Sequence, residues 1–556
     1  MKRIFLFAIL SYVAFNLSAA EVAQSAQGIA YYKAGFPQVA KPLLIKENAT
    51  DTLTLSETSF YLGNIFFEEN KLDSAAFYFK MGLRSRKPNN FNPIGLTMLK
   101  IKSNPKEAAT EFQNFARLPF NKKNIDFYIK VSRAYLYNNL FDDANTYLEK
   151  AREIKSKYSG VAVLAGDILF AKKNIGEACS NYELAILYDP NCKEAYIKYA
   201  RAYKIVNPTL AIEKLNELKS KEPSFLLAER ELGDTYYGIN KYVEAARAYD
   251  NYLKSGNTEI GDFVNYAYSV LQSKDNPKAL EVSLLGLQKA PRNPVLARIA
   301  LFSSVSLEKY DDALKYVDML FNKSEKPILA YYDFANYATA LSAKKQYDLA
   351  IELYKKAYKV DSSQVAIFKE ISDLYETKGD YPNSIAAYKE YLKVLTSSKV
   401  TTDMLIAYGK KYYSYGQLET IPADVKKANF LMADSIFSSI VLKDPTDYRP
   451  SYYRAKANFG LDLEYKSEVA KNLYEQTLGI VETKGNVKYD PFSIGDVRYK
   501  PIIIESLRYI AAYYYSNNDL AKAKLYCNKI ISIDAKDSVA VKILELIENM
   551  KKKPKK

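Results

Sequence analysis

Chemistry in this 556-residue chain would have to come from carboxylates, lysines, tyrosines, serines and three cysteines, because the sequence contains no histidine. Without histidine there is no Ser-His-Asp triad, no Cys-His pair and no His-based zinc site. Three thiols also cannot supply a four-thiolate zinc site or hold an iron–sulfur cluster. Cys179 and Cys192 stand 13 residues apart. If Cys179 starts a helix that Cys192 follows, the helical rise separates them by roughly 18 Å, far beyond disulfide reach. These two and Cys527 are expected to be buried small apolar residues. The carboxylate pairs Asp142-Asp143 and Asp311-Asp312 could in principle form an acid/base dyad. Their place in a turn before a helix instead suits the positive end of that helix. The reading is of a chain that is not an enzyme, with no catalytic residue, no metal site and no cofactor.

Export is expected. Lys2 and Arg3 precede an unbroken apolar run from Ile4 to Leu10, and Ser18-Ala19-Ala20 supplies the small residues of a cleavage site. A signal peptide over 1–20, cut after Ala20, places the mature chain outside the cytoplasm, most plausibly in a periplasm. The first cysteine is Cys179, so a lipoprotein is disfavoured. No later stretch approaches 18 apolar residues, which predicts a mature chain without a transmembrane segment. Removing 1–20, with two cations and no anions, takes the formal charge from +15 to +13. That excess is spread along the chain rather than gathered into a stripe, which argues against nucleic acid as a partner. Oligomeric state has no signature here.

What must position any functional residue is a repeat. A small residue recurs at Ala40, Ala75, Ala108, Ala144, Ala178, Ala211, Ala245, Ala279, Ala313, Ala350, Ser384, Ala433, Ala470 and Ala523. Eleven of the thirteen steps fall between 33 and 37 residues, too regular for chance. Twelve residues before several of these stands another small residue: Gly28, Gly63, Ser132, Gly166, Gly233, Ala267, Ala338 and Ser372. Each period therefore holds two segments with apolar residues three or four apart, which is the pattern of two amphipathic helices. Small residues let the helices of a pair approach closely, and large ones fill the seam with the next pair. No pair can bury its apolar face alone, so neighbours must stack into a continuous core.

This 34-residue helix–turn–helix period, with Gly or Ala, aromatic, Ala, aromatic, Ala and Pro at these offsets, resembles the tetratricopeptide repeat (TPR). The resemblance is most specific around Ala165–Pro190, Leu232–Tyr252 and Tyr337–Ala357, and the tryptophan that often opens the family's first helix is absent. It implies an all-α, right-handed superhelical solenoid of about 14 helix pairs. It also implies that the first helices line a concave groove for a protein or peptide partner. The family's groove offsets fall on Arg230, Asp234 and Tyr237, then Asn265 and Tyr268, then Arg298 and Phe302. Further on they fall on Tyr332, Asn336 and Thr339, then Lys369 and Asp373. Rings, amides and both charge signs suit recognition of a polypeptide. The expected function is an extracytoplasmic scaffold or adaptor, in envelope assembly or secretion. The alternative is a carbohydrate- or peptidoglycan-binding protein in which exposed Tyr stacks on sugars and Asn and Asp bond them.

The array is regular over 21–396. Over 397–537 degenerate units are interrupted near 409–427 and 482–501, and long excursions of this kind are often functional. Residues 538–556 hold a capping helix and a lysine-rich tail. Phe492 and Ile494 could cap a groove or pack on the last helices. Most tyrosines, including Tyr135, Tyr182, Tyr236, Tyr249, Tyr354, Tyr375 and Tyr388, sit at packing offsets. In Tyr236-Tyr237 and Tyr513-Tyr514-Tyr515, neighbouring residues point about 100° apart, so one ring of each set is expected to be more exposed.

Overall fold

A computed structural model describes residues 27–50, 55–85, 89–462 and 464–552. The expected signal peptide and the tail from 553 lie outside them. The described residues form fourteen helix pairs and a final helix, Ser538–Lys552. They divide into two compact units, 1–327 with nine pairs and 328–556 with five. The architecture is the expected all-α stack of helix pairs.

Each pair is held by a contact that only a small residue permits. A Cβ built on Gly166 would stand 2.5 Å from the Tyr182 ring, and one on Gly233 would stand 2.8 Å from Tyr249. A Cβ on Gly63 or on Gly95 would stand 2.3 Å from the Phe79 ring. Where serine takes this place its hydroxyl bonds the partner helix. Ser132 Oγ donates to the Ala144 carbonyl at 2.7 Å, and Ser372 Oγ to the Ser384 carbonyl at 2.7 Å. These are the pairs of small residues twelve apart found in the sequence. The tyrosines opposite are buried at 135, 182, 249, 354 and 388, while Tyr236 and Tyr375 are half-buried.

The turn inside a pair is equally uniform. Asn70, Asn139, Lys173, Asn240, Lys274, Glu308, Lys345 and Asn518 all have φ between 57° and 64°. The left-handed residue ends the first helix, and the next amide bonds a carbonyl five residues back, as in Asn174 N to Leu169 O at 2.9 Å. The second helix often starts on a side-chain cap, including Asn174, Asn207, Asp275, Asp380 and Asp519. Asp142-Asp143 and Asp311-Asp312 lie inside the first turns of second helices rather than in the turn before them, still at the positive helix end.

Both irregular stretches lie in the second unit. Residues 409–427 are not a free loop: they end helix Thr402–Gly416, cross a short connection and begin the 19-residue helix Ala423–Val441. The extra length goes into longer helices, which bury Phe430 and Phe437. Residues 482–501 end helix Glu468–Gly485 and form a two-stranded antiparallel ribbon, Lys488–Tyr489 against Phe492–Ser493. Phe492 and Ile494 pack on the last helices, which decides between the two roles expected for them.

Gly166→Ala should destabilise the protein by about 1–3 kcal/mol, since the methyl must displace a buried ring. Gly176→Ala, with nothing within 4 Å of its Cβ, should be neutral or stabilising by up to about 1 kcal/mol. Urea midpoints of the two variants check this, and equal effects would show that the close approach is not what Gly166 serves.

Candidate binding surfaces

The first-helix face of the first unit is cross-linked from repeat to repeat by ion pairs. Arg133 Nη1 lies 3.1 Å from Asp167, and its Nη2 lies 3.0 Å from Glu194. Lys198 reaches the same two carboxylates at 2.6 and 2.7 Å. Arg201 pairs with Glu231 at 2.7 Å, and Arg230 with Asp262 at 2.6 Å and Glu259 at 2.9 Å. Burial works to raise the Glu194 pKa, but the Lys198 and Arg133 charges prevail and hold it well below the usual range.

Several expected groove residues are committed within this scaffold. Arg230 belongs to the ladder. Asp234 accepts the buried Tyr249 hydroxyl at 2.5 Å, as Asp167 accepts that of Tyr182 at 3.0 Å two repeats earlier in the array. Burial and then Asp234 push the Tyr249 phenol pKa well up, while the Asn265 amide opposes them. Arg298 and Phe302 are half-buried on helix Pro294–Ser306. Tyr237 and Tyr268 come together, ring centres 5.7 Å apart, and Tyr242 closes a three-ring patch at 6.1 and 5.9 Å. Tyr236 and Tyr237 are both half-buried, and so are Tyr513, Tyr514 and Tyr515, with Tyr237 meeting Tyr268 of the next repeat and Tyr514 lying over Tyr526 of its own pair at 5.6 Å.

In the second unit Tyr332 is 57% exposed, with its ring edge-on to Tyr331 at 5.0 Å. Asn336 donates to the Tyr332 carbonyl at 2.8 Å. Thr339 shares a 3.1 Å hydrogen bond with the Tyr354 hydroxyl, which is the role Asp234 has in the first unit. Lys369 pairs with Asp373 at 2.9 Å, and Asp373 also receives Lys411 at 3.1 Å.

The sequence reading missed a cavity of about 540 Å³ within the first unit. Its walls are first helices of early repeats, with Phe60, Tyr61, Glu68, Ile94, Met98, Lys130, Arg133, Tyr137, Asp167, Glu194 and Lys198, closed by Ala30–Pro37 of the first pair. The Tyr32 hydroxyl donates to Glu68 at 2.6 Å and meets Tyr137 at 2.8 Å. Burial raises the Glu68 pKa, against the opposing Tyr32 hydrogen bond and the Arg133 and Lys198 charges. The first pair is fastened across the unit. Arg201 Nη1 donates to the Ala34 and Gly35 carbonyls at 3.0 and 2.9 Å, and its guanidinium lies 3.9 Å over Phe36. Arg230 flanks the same ring at 4.9 Å, and Tyr31 meets Phe225 at 5.8 Å. Gly35 has φ +83°, and a Cβ there would stand 2.5 Å from Arg201. Opposite charges about one repeat apart, such as Arg133 and Asp167, were the sequence signal for the ladder.

The three cysteines are unpaired, Cys179 and Cys527 buried and Cys192 at the cavity edge. Burial, joined by nearby carboxylates, pushes each thiol up to about 11. Among the described residues no helix is long and apolar enough to cross a membrane.

Residues 337–397 match the tetratricopeptide repeat family. No curated protein matches the chain. Among solved structures, the chain is similar to the C-terminal part of a TPR repeat-containing protein from Cytophaga hutchinsonii. The two share 26% identity over 50% of this chain and 99% of that one, with a TM-score of 0.40. It is also similar to PilW, a type IV pilus biogenesis factor, at 18% identity over 37% and 94% of the two chains, TM-score 0.31. The APC/C hetero-tetramer Cut9–Hcn1 aligns at 14% identity over 91% and 94%, TM-score 0.29.

Arg201→Ala should destabilise the first unit by about 3–5 kcal/mol, because it strands the buried Glu231 carboxylate and unfastens the first pair. Hydrogen exchange should show amides of 27–50 losing protection first, whereas uniform loss across the unit would contradict the fastening role.

Proposed function

We propose that this array of tetratricopeptide repeats is an extracytoplasmic scaffold that binds polypeptide segments on its first-helix faces. The observation that carries the reading is the Tyr237–Tyr242–Tyr268 patch, three half-exposed rings in which Tyr237 and the second-helix start Tyr242 of one pair meet Tyr268 on the first helix of the next. Rigid aromatic surface of this kind anchors partners at low entropic cost. Near it Arg230 and Asp234 already have partners, so they fix register rather than drive association. In the second unit, exposed Tyr332 with Asn336 offers a similar ring-and-amide surface. The extracytoplasmic setting rests on the residues of 1–20, and a role in envelope assembly or secretion follows from that setting. The perturbed carboxylates serve ion pairs, tyrosine hydroxyls or, at Asp361 and Asp444, the hydroxyls and amides of their own turns, which favours binding over catalysis.

Photo-crosslinking from position 268 or 332 in envelope extracts should capture protein partners, and capture should be lost when Tyr237 and Tyr242 are changed to Ala. Capture only from second-helix positions such as Phe77, 58% exposed, would place the binding surface elsewhere. Retention on cell-wall glycan, abolished by Tyr268→Ala, would favour the carbohydrate reading instead.

A further inference from the structure

The polar groups of the cavity do not balance among themselves. Arg133 and Lys198 are matched by Asp167 and Glu194, and Lys193 by Glu222 at 3.0 Å. Asp126 accepts from Tyr158 at 3.3 Å, and Glu68 accepts from Tyr32. Among the described residues, Lys130 and Lys33 have no carboxylate at ion-pair distance. The Lys130 ammonium lies against an aromatic wall instead, 4.3 Å from the Phe91 ring centre, 5.3 Å from Phe60 and 5.5 Å from Tyr61. Lys33 sits 5.8 Å over Tyr61.

On the same wall the Tyr61 hydroxyl is buried with no acceptor at hydrogen-bond distance, in a residue only 3% exposed, and the Lys130 ammonium stands beside it. A buried O–H that donates to nothing is costly and calls for an explanation. Lys130 can only donate and the Tyr61 O–H is left to donate, so what this corner lacks is an acceptor, and an ammonium without a carboxylate favours a negative one. The rest of the wall is apolar: Phe60, Ile94, Met98, Ile129 and Ala134. The volume is that of small-ligand sites rather than of a folded partner.

We infer that the cavity binds a small organic anion, a carboxylate carried on an aromatic or branched aliphatic body. The carboxylate accepts from Lys130 Nζ and Tyr61 Oη, and the body packs on Phe60, Ile94, Met98 and Ile129. Inorganic phosphate lacks the apolar body, and a neutral aromatic lacks the charge. Because Tyr32, Lys33 and Pro37 line the cavity, a bound anion also holds the first helix pair in place. The site lies on first helices of earlier repeats than Tyr237, Tyr242 and Tyr268 and uses none of those rings.

Titration calorimetry on the full chain tests this with three probes: 3-phenylpropionate, its neutral amide and inorganic phosphate. The carboxylate should bind, the amide at least about tenfold more weakly, and phosphate not at all up to about 10 mM. Lys130→Met should weaken the carboxylate about tenfold or more and leave the amide unchanged, and Tyr61→Phe should weaken it a few-fold. Lys315→Met, on an exposed second-helix surface, should change nothing. Should Lys130→Met fail to give the parent circular-dichroism melt, Lys130→Arg and Tyr61→Phe carry the comparison, with the charge-retaining variant keeping the preference for carboxylate. No binding of the carboxylate, equal binding of the amide, or binding indifferent to Lys130 and Tyr61 would overturn the inference. Peptide capture at position 268 should persist in all these variants, so failure of one reading does not mimic failure of the other.

Discussion

Everything in this molecule depends on how closely the two helices of a pair can approach. Gly63, Gly166 and Gly233 leave no room for a methyl group against Phe79, Tyr182 and Tyr249. Ser132 and Ser372 turn the same proximity into a hydrogen bond with the opposite backbone. With that distance set, and with a left-handed residue closing most of the turns, each pair packs against the next. That packing brings Arg133 to Asp167, Arg230 to Asp262 and Arg508 to Asp537, each about one repeat away. An ion-pair ladder of this kind contributes little per exposed rung, but it fixes which first-helix side chains stay available.

The buried tyrosines link packing to surface. Each fills a pair's seam with its ring and must place a hydroxyl. Tyr182 uses Asp167, Tyr249 uses Asp234 and Tyr354 uses Thr339. A first-helix residue that looks like a surface contact can therefore be the internal partner of a ring fifteen residues on. What remains for recognition is the set of rings that cannot enter their own seam, such as Tyr237 and Tyr268, and these collect into patches across repeats.

The sequence was most legible where sterics repeat. The small residues twelve apart and the anchor spacing located the helix pairs and their seams, while the carboxylate pairs were placed just outside the second helices whose first turns they occupy. The binding face was legible only by position. Offsets identify residues on a first helix, but not that Asp234, Thr339 and Asp373 already have partners, since those bonds reach fifteen or more residues away. The cavity was illegible for a related reason. It exists because Arg201 reaches carbonyls 166 and 167 residues earlier, a contact that no local period encodes. The stretch at 409–427 looked like an interruption because spacing alone cannot distinguish a loop from two lengthened helices.

The central claim is that the first-helix face is the working surface of the array. Hydrogen exchange on the full chain, with and without a captured polypeptide partner, tests it directly. The account predicts new protection on helices Leu227–Gly238, Ile260–Gln272 and Tyr331–Ala343, with the second helices Asn276–Lys289 and Tyr347–Val360 unchanged. Protection confined to those two second helices would contradict it.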